Sequence, residues 1–279
     1  MEKMEGFKTL EVVQKDAAVP VFHVYLNRPA HRNALTLDFF SELPRALSLL
    51  DQNPAARAIV LSARGPHFCA GIDLSSLGSL GGADQDGADP ARARERLRRQ
   101  ILWMQAAITA VERCRKPVIA AVNGACVGGG VDLVTACDVR YCAADAFFSV
   151  KEVDLALAAD IGTLQRLPAI VGYGNASEMA LTGRRVPAAE ARAMGLVSAV
   201  YASREEMEEA VATIARDIAG KSPIAMAGTK AVLLRSRDLT VEQGLDYVAT
   251  WNAGMLISDD LKEAVSAQMQ KRKPTFAKL

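Results

Sequence analysis

Residues 117–137 read PVIAAVNGACVGGGVDLVTAC: a short run of small and β-branched apolar residues, a glycine-rich turn, then a second apolar run. The first run, Val118 to Val122, has the length and composition of a buried strand, and the apolar stretch from Gly129 has that of a buried helix. Three successive glycines between them allow the backbone to approach a ligand closely. The free N–H groups at the start of the helix can hold a developing negative charge. A tight packing turn between strand and helix would use the same residues. Neither Gly-x-Gly-x-x-Gly nor a Gly-Lys-Ser/Thr ending is present, so dinucleotide and P-loop readings are set aside.

Working outward, the same alternation recurs. Lys8 to Lys15 and Val21 to Asn27 alternate as strands around a hairpin turn, Leu37 to Leu50 has helical spacing up to Asn53-Pro54, and Ala58 to Ser62 is a short buried strand. A long helix begins near Ala91 and carries five arginines between Arg92 and Arg99, read as a solvated face. Another strand lies near Val139 to Cys142. Strands alternating with helices predict an α/β core. Beyond Tyr201 the pattern turns wholly helical (205–219, 223–235, 241–256 and 259–271). This divides the chain into an α/β core with the active site (1–200) and a C-terminal helical oligomerisation region (201–279). Gly78 to Pro90 is a Gly, Asp and Ser-rich loop, expected to be mobile and to set the depth of a neighbouring pocket.

Composition narrows the function. The 279 residues include 33 Lys and Arg against 32 Asp and Glu, a formal charge of +1, which disfavours nucleic-acid binding through phosphate neutralisation. The stretch from Val118 to Cys137 is interrupted by Asn123, Asp132 and glycines, so no membrane span is expected. The acidic first twenty residues suit neither a secretory nor a transit leader. Five cysteines without a Cys-x-x-Cys pair read as buried thiols of a reducing compartment. His23, His31 and His67 lack metal-ligand spacing, so no metal is expected.

Three acids stand out by their surroundings. Asp132 is the only ionisable residue between Pro117 and Cys137, and an unpaired carboxylate there costs several kcal/mol unless a partner or helix N-terminus holds it. Glu152 and Asp160 lie in the apolar segment FFSVKEVDLALAADIG, residues 147–162, eight apart across a loop from which both could reach one pocket. The competing structural reading pairs Glu152 with Lys151 or Arg166 and makes Asp160 the cap of a helix over Ile161 to Val171. A further turn, Gly65 to Leu74, follows the strand at 58–62 and can present the N–H of Ile72 beside that of Gly129, giving two backbone donors for one carbonyl.

These pieces together resemble the crotonase (enoyl-CoA hydratase/isomerase) superfamily. The resemblance is carried by Leu26-Asn-Arg-Pro29, Arg32-Asn-Ala-Leu35, Phe68 to Leu74, Lys116 to Gly124 and Gly162 to Leu167, nearly the whole chain. Gly128 to Asp132, Lys151 to Asp154 and Asp160 are most similar to its Δ3,5-Δ2,4-dienoyl-CoA isomerase group. The resemblance implies a spiral of ββα turns and a homotrimer or a hexamer built as a dimer of trimers. It implies an oxyanion site at Ile72 and Gly129, and an acyl-CoA held by Ala70, Gly71, Ile72, Asp73, Leu74, Gly129 and Gly130. Asp132, Glu152 and Asp160 become the catalytic acids, and no cofactor is implied beyond the coenzyme A of the substrate. Hydratases of the superfamily carry two glutamates at the positions of Asp132 and Glu152, and usually Gly where this chain has Asp160. Hydration, a single-shift Δ3,Δ2-enoyl-CoA isomerisation and a non-catalytic CoA- or RNA-binding scaffold are the alternatives. Ala277-Lys278-Leu279 resembles the peroxisomal address read by an import receptor, which suits β-oxidation of unsaturated fatty acids.

Overall fold

The structure, a computed structural model, describes residues 2–78 and 89–279. The loop expected at Gly78 to Pro90 lies, apart from its ends, outside the described residues. The elements run β1 (Glu2–Met4), β2 (Leu10–Gln14), β3 (Val21–Leu26), α1 (Leu37–Gln52), β4 (Ala58–Ala63), α2 (Leu74–Gly78), α3 (Pro90–Arg113), β5 (Val118–Val122), β6 (Ala125–Val127) and α4 (Gly129–Thr135). They continue as β7 (Val139–Ala143), β8 (Phe147–Ser149), α5 (Thr163–Val171), α6 (Tyr173–Thr182), β9 (Val186–Pro187), α7 (Ala188–Ala193), β10 (Ala199–Tyr201), α8 (Arg204–Ala219), α9 (Pro223–Ser236), α10 (Val241–Met255) and α11 (Asp259–Met269).

Seven strands form the main sheet in the order β1-β2-β3-β4-β5-β7-β10, antiparallel at the opening ribbon and parallel from β3 onward. A small sheet, β6-β8-β9, runs beside it. From β5 onward each turn of the chain therefore contributes one strand to each sheet: β5 then β6, β7 then β8, β9 then β10. That repetition is the expected spiral. At its centre β5, apolar and buried along its whole length, must be covered on both faces. Leu43, Leu47 and Leu50 of α1 and Ile108 and Val111 of α3 cover one face. Met207, Val211 and Ala215 of α8 share a second cluster with Val60, Ile119 and Ala121 on the other. The first helix after residue 201 thus packs directly on the sheet, and α9 to α11 follow it.

The strand edge at β5 sets up the site. Its carboxyl end runs into the turn 123–124 and then into β6, which delivers Gly128 and α4 just beyond the carboxyl ends of the parallel strands. Among the described residues no helix is long and apolar enough to cross a membrane.

Candidate active site

Two segments far apart in sequence are zipped side by side. The N–H of Phe68 donates to the Asn123 carbonyl and that of Cys69 to the Ala125 carbonyl, while the Val127 N–H donates to the Cys69 carbonyl, each at 2.9 Å. Past the zip lie Gly71 at φ +96° and Gly128 at φ +54° and ψ −123°. A Cβ on Gly71 would come within 3.3 Å of the Val127 carbonyl oxygen and 3.8 Å of the Gly128 Cα. Only glycine allows the two turns to touch in this way. Gly71 O and Asp73 N are both engaged by Leu35, at 2.8 Å each. The intervening Ile72 N–H points the opposite way, as alternate residues on a strand do. Gly129 opens α4, so its N–H has no carbonyl four residues back. Both donors border one cavity of about 470 Å³. Gly128→Ala is expected to lower kcat by ~10²-fold or more through displacement of the Gly129 N–H. The new Cβ would also press on Glu152 Oε1 at 3.4 Å. Steady-state kinetics with a thermal melt separates that loss from unfolding.

Glu152 and Asp160 line the cavity, together with Leu97, Ile101 and Met104 of α3. Glu152 begins a short 3-10 turn, and its Oε2 is buried without a hydrogen-bond partner among the described residues. Neither structural partnership holds: Lys151 pairs with Asp154, and Arg166 pairs with Glu112 at 2.9 Å. Asp160 does not cap the next helix either. Gly162 is the N-cap and the helix starts at Thr163, which leaves the Asp160 carboxyl at the cavity rim. Asp132 does not line the cavity. It is completely buried behind it, with Oδ1 accepting the Thr163 N–H at 2.6 Å and Oδ2 without a partner among the described residues.

The three carboxyls influence one another. Burial pushes Glu152 up to about 7, with the Asp132 and Asp160 charges adding to the rise. Burial also pushes Asp132 up to about 6 against the pull of the Thr163 hydrogen bond, while Asp160 adds to the rise and Arg166 opposes it. Burial raises Asp160 as well. Three carboxyls within electrostatic reach of one another, one of them fully buried, do not all ionise freely at neutral pH. Glu152 and Asp132 are both raised toward neutrality.

Ala70, Gly71, Ile72, Leu74 and Gly129 also border the cavity. Asp73 and Gly130 do not. Asp73 accepts from Arg28 Nη1 at 3.0 Å and from the Ser75 hydroxyl at 2.6 Å. Gly130 is packed under Cys69, where a Cβ would come within 2.9 Å of the cysteine Cβ. The Cys69 thiol is pushed up to about 12 by burial, so it is no nucleophile. The arginines of the 92–99 run are exposed, as a solvated face would be. Sequence reading missed Thr163 as the donor to Asp132. It also missed a second, apolar cavity of about 350 Å³ on the far side of Glu152, walled by Ala159, Leu164, Leu167, Ala176 and Ala180.

The sequence matches the Enoyl-CoA hydratase/isomerase family over residues 16–278. The chain belongs to that family. Within it, the peroxisomal Delta(3,5)-Delta(2,4)-dienoyl-CoA isomerase of Arabidopsis thaliana is 65% identical over 276 residues, covering 99% of each chain. The mitochondrial Delta(3,5)-Delta(2,4)-dienoyl-CoA isomerase of Homo sapiens is 48% identical over 263 residues, 93% of this chain and 80% of its own. Among solved structures, the crystal structure of enoyl-CoA hydratase from Bacillus anthracis superimposes with a TM-score of 0.86 at 31% identity, covering 97% of this chain and 99% of that one. The spiral is thus shared by proteins named hydratases and isomerases alike, and fold alone does not separate the two.

Proposed function

We infer that this chain is an isomerase that converts a 3,5-dienoyl-CoA to the 2,4-dienoyl-CoA in fatty-acid β-oxidation. The single observation that carries this reading is the pair of acids, Glu152 and Asp160, lining one cavity beside two free backbone donors. The thioester oxygen is taken by the N–H groups of Ile72 and Gly129. Asp160, ionised, removes a proton from C2. The resulting dienolate spreads its charge onto the thioester oxygen, where the two donors stabilise it. Glu152, protonated, then delivers a proton to C6 and the diene moves into conjugation with the carbonyl. Asp132 stays behind both acids, and its charge keeps the proton on Glu152. The reaction so written needs no cofactor beyond the coenzyme A of the substrate. A hydratase needs two groups to activate and split water, and a third acid at 160 has no task in that chemistry.

Carbons beyond C6 continue past Glu152 into the apolar cavity between α5 and α6. Ala180→Phe, which fills that cavity, is expected to raise KM at least ~10-fold for a long-chain dienoyl-CoA, while a six-carbon substrate is turned over as before. A KM series over chain length checks this. In this reading the wall of α5 and α6 sets chain length, while the loop expected to do so lies outside the described residues.

The exposed apolar side chains Val241 and Leu245 of α10, Met269 of α11 and Ile257 between them support the use of this region as a trimer or hexamer interface. The name of the Arabidopsis relative and the Ala277-Lys278-Leu279 sequence support a peroxisomal location and an import receptor as partner. In the folded protomer this tripeptide lies on the body of the protein: Arg57 Nη2 donates to the Ala277 carbonyl at 2.9 Å and Lys116 Nζ to Leu279 O at 3.4 Å.

The deciding experiment presents one 3,5-dienoyl-CoA and one 2-enoyl-CoA side by side and identifies products by mass spectrometry and ultraviolet absorbance. Conversion of the first to a conjugated diene of unchanged mass, with the second left unhydrated, is the expected result. A water adduct of the 2-enoyl-CoA as the main product would overturn the reading.

A further inference from the structure

We propose that Arg166 is a positioning residue of this site: clamped by Glu112 and Thr109, its guanidinium fixes the turn 160–163 that carries Asp160 and presents the Thr163 N–H to Asp132. The inference rests on the isomerase reading above, because isomerisation is its readout.

The geometry is specific. Arg166 lies one turn into α5, is itself buried, and folds back over Gly162, where Nη1 stands 1.7 Å from the position a Cβ would take. Gly162 has φ +135°, a conformation open to glycine, and its carbonyl accepts the Arg166 N–H at 3.1 Å. The guanidinium therefore fills the space that a side chain at 162 would occupy. Nη2 donates to Thr109 Oγ1 at 3.0 Å and to Glu112 Oε2 at 2.9 Å, while Nε is buried without a partner among the described residues. The second oxygen of Glu112 accepts from Arg237 Nη2 at 2.7 Å. The turn bearing Asp160 is thus tied to α3 and, through Arg237, to the end of α9. Two arginines against one glutamate leave one positive charge in this cluster, and the Arg166 charge is felt at Asp132.

That charge gives the arrangement a signature that packing alone lacks. The groups facing Asp132 are Thr163 and Arg166 from α5, Glu152 from the 152–155 turn, Asp160 from the segment before α5, and the thiols of Cys69 and Cys126 from the zipped segments. Arg166 is the cation among them. Without it Asp132 takes up its proton at higher pH, and the ionised Asp132 on which the mechanism depends is lost sooner on acidification.

The test compares wild type with Arg166→Lys, which keeps the charge but not the fork, and with a neutral variant, Arg166→Gln or, if that does not fold, Arg166→Met, which removes the charge while Glu112 keeps Arg237 as its partner. For each, kcat, KM, the pH profile of kcat and the melting temperature are measured on the full chain. The expected result is a fall in kcat of ~10- to 100-fold in both variants, with KM changed less than ~3-fold. The acidic limb is displaced upward in the neutral variant alone. A kcat within twofold of wild type in either folded variant, or an unmoved acidic limb in the neutral one, overturns the proposal. If wild type itself fails to isomerise the dienoyl-CoA, the functional reading fails instead, and the two failures are told apart by that control.

Discussion

Asp160→Asn is expected to lower kcat for a 3,5-dienoyl-CoA by ~10²- to 10⁴-fold, the range for removing a positioned general base, with KM little changed. The asparagine amide has the shape of the carboxylate but cannot accept the C2 proton. The fold is not at stake. Asp160 caps no helix, and its link to α3 is through its backbone carbonyl, which accepts from Gln105 Nε2 at 2.6 Å and which asparagine retains. The melting temperature is therefore expected to stay within a degree or two of wild type. A carboxylate raised by burial is a better base than one in water, which is why the position at the cavity rim matters. Stopped assays with a melt on the same preparation check the point. A kcat near that of wild type removes Asp160 from the mechanism.

Glu152→Gln is expected to affect activity and stability with opposite signs. Glutamine at 152 cannot deliver a proton to C6, so kcat falls by ~10²-fold or more. Stability rises instead, and only at neutral and alkaline pH. The folded protein holds the Glu152 proton up to about pH 7, whereas the ordinary value is 4.5. Between those values the folded state binds more protons than the unfolded state, so stability falls as pH rises. Above pH 7 the full cost is present, and below 4.5 it is absent. Glutamine removes it. The gain at pH 8 is on the order of 1 to 3 kcal/mol, since each tenfold change in proton affinity is worth about 1.36 kcal/mol and the buried amide keeps some unmet hydrogen bonding. Chemical denaturation of both proteins at pH 5 and pH 8 checks this. A variant no more stable than wild type at pH 8 contradicts an acid at 152 raised by burial to about 7.

Much of this was legible in the sequence, for reasons of local physics. Val118 to Val122 could only be a buried strand, and the glycines after it suited a close backbone approach. Asp132, alone in twenty apolar residues, announced a partnered carboxylate. The strands of the small sheet were not legible, because segments of two or three residues such as Val186–Pro187 are too short to display alternation. Nor was the Thr163 N–H as the partner of Asp132, since 31 residues separate them and only the packing of α5 against α4 brings them together. Asp73 and Gly130 illustrate the converse: being next to a cavity-lining residue in sequence does not make a residue line the cavity. Asp73 alternates away toward Arg28, and Gly130 turns inward with the helix. Arg166 could be read as a partner for Glu152. Its pairing with Glu112 depends on α3 and α5 meeting, which no local pattern encodes.

The central claim is that two separate acids relay a proton between distant carbons of a thioester whose oxygen is held by backbone donors. Its most direct measurement is isomerisation of a 3,5-dienoyl-CoA in deuterium oxide, with the label located in the product by nuclear magnetic resonance. The account predicts a 2,4-dienoyl-CoA carrying deuterium at C6. Deuterium at C4 instead, or a hydroxylated product, would contradict it.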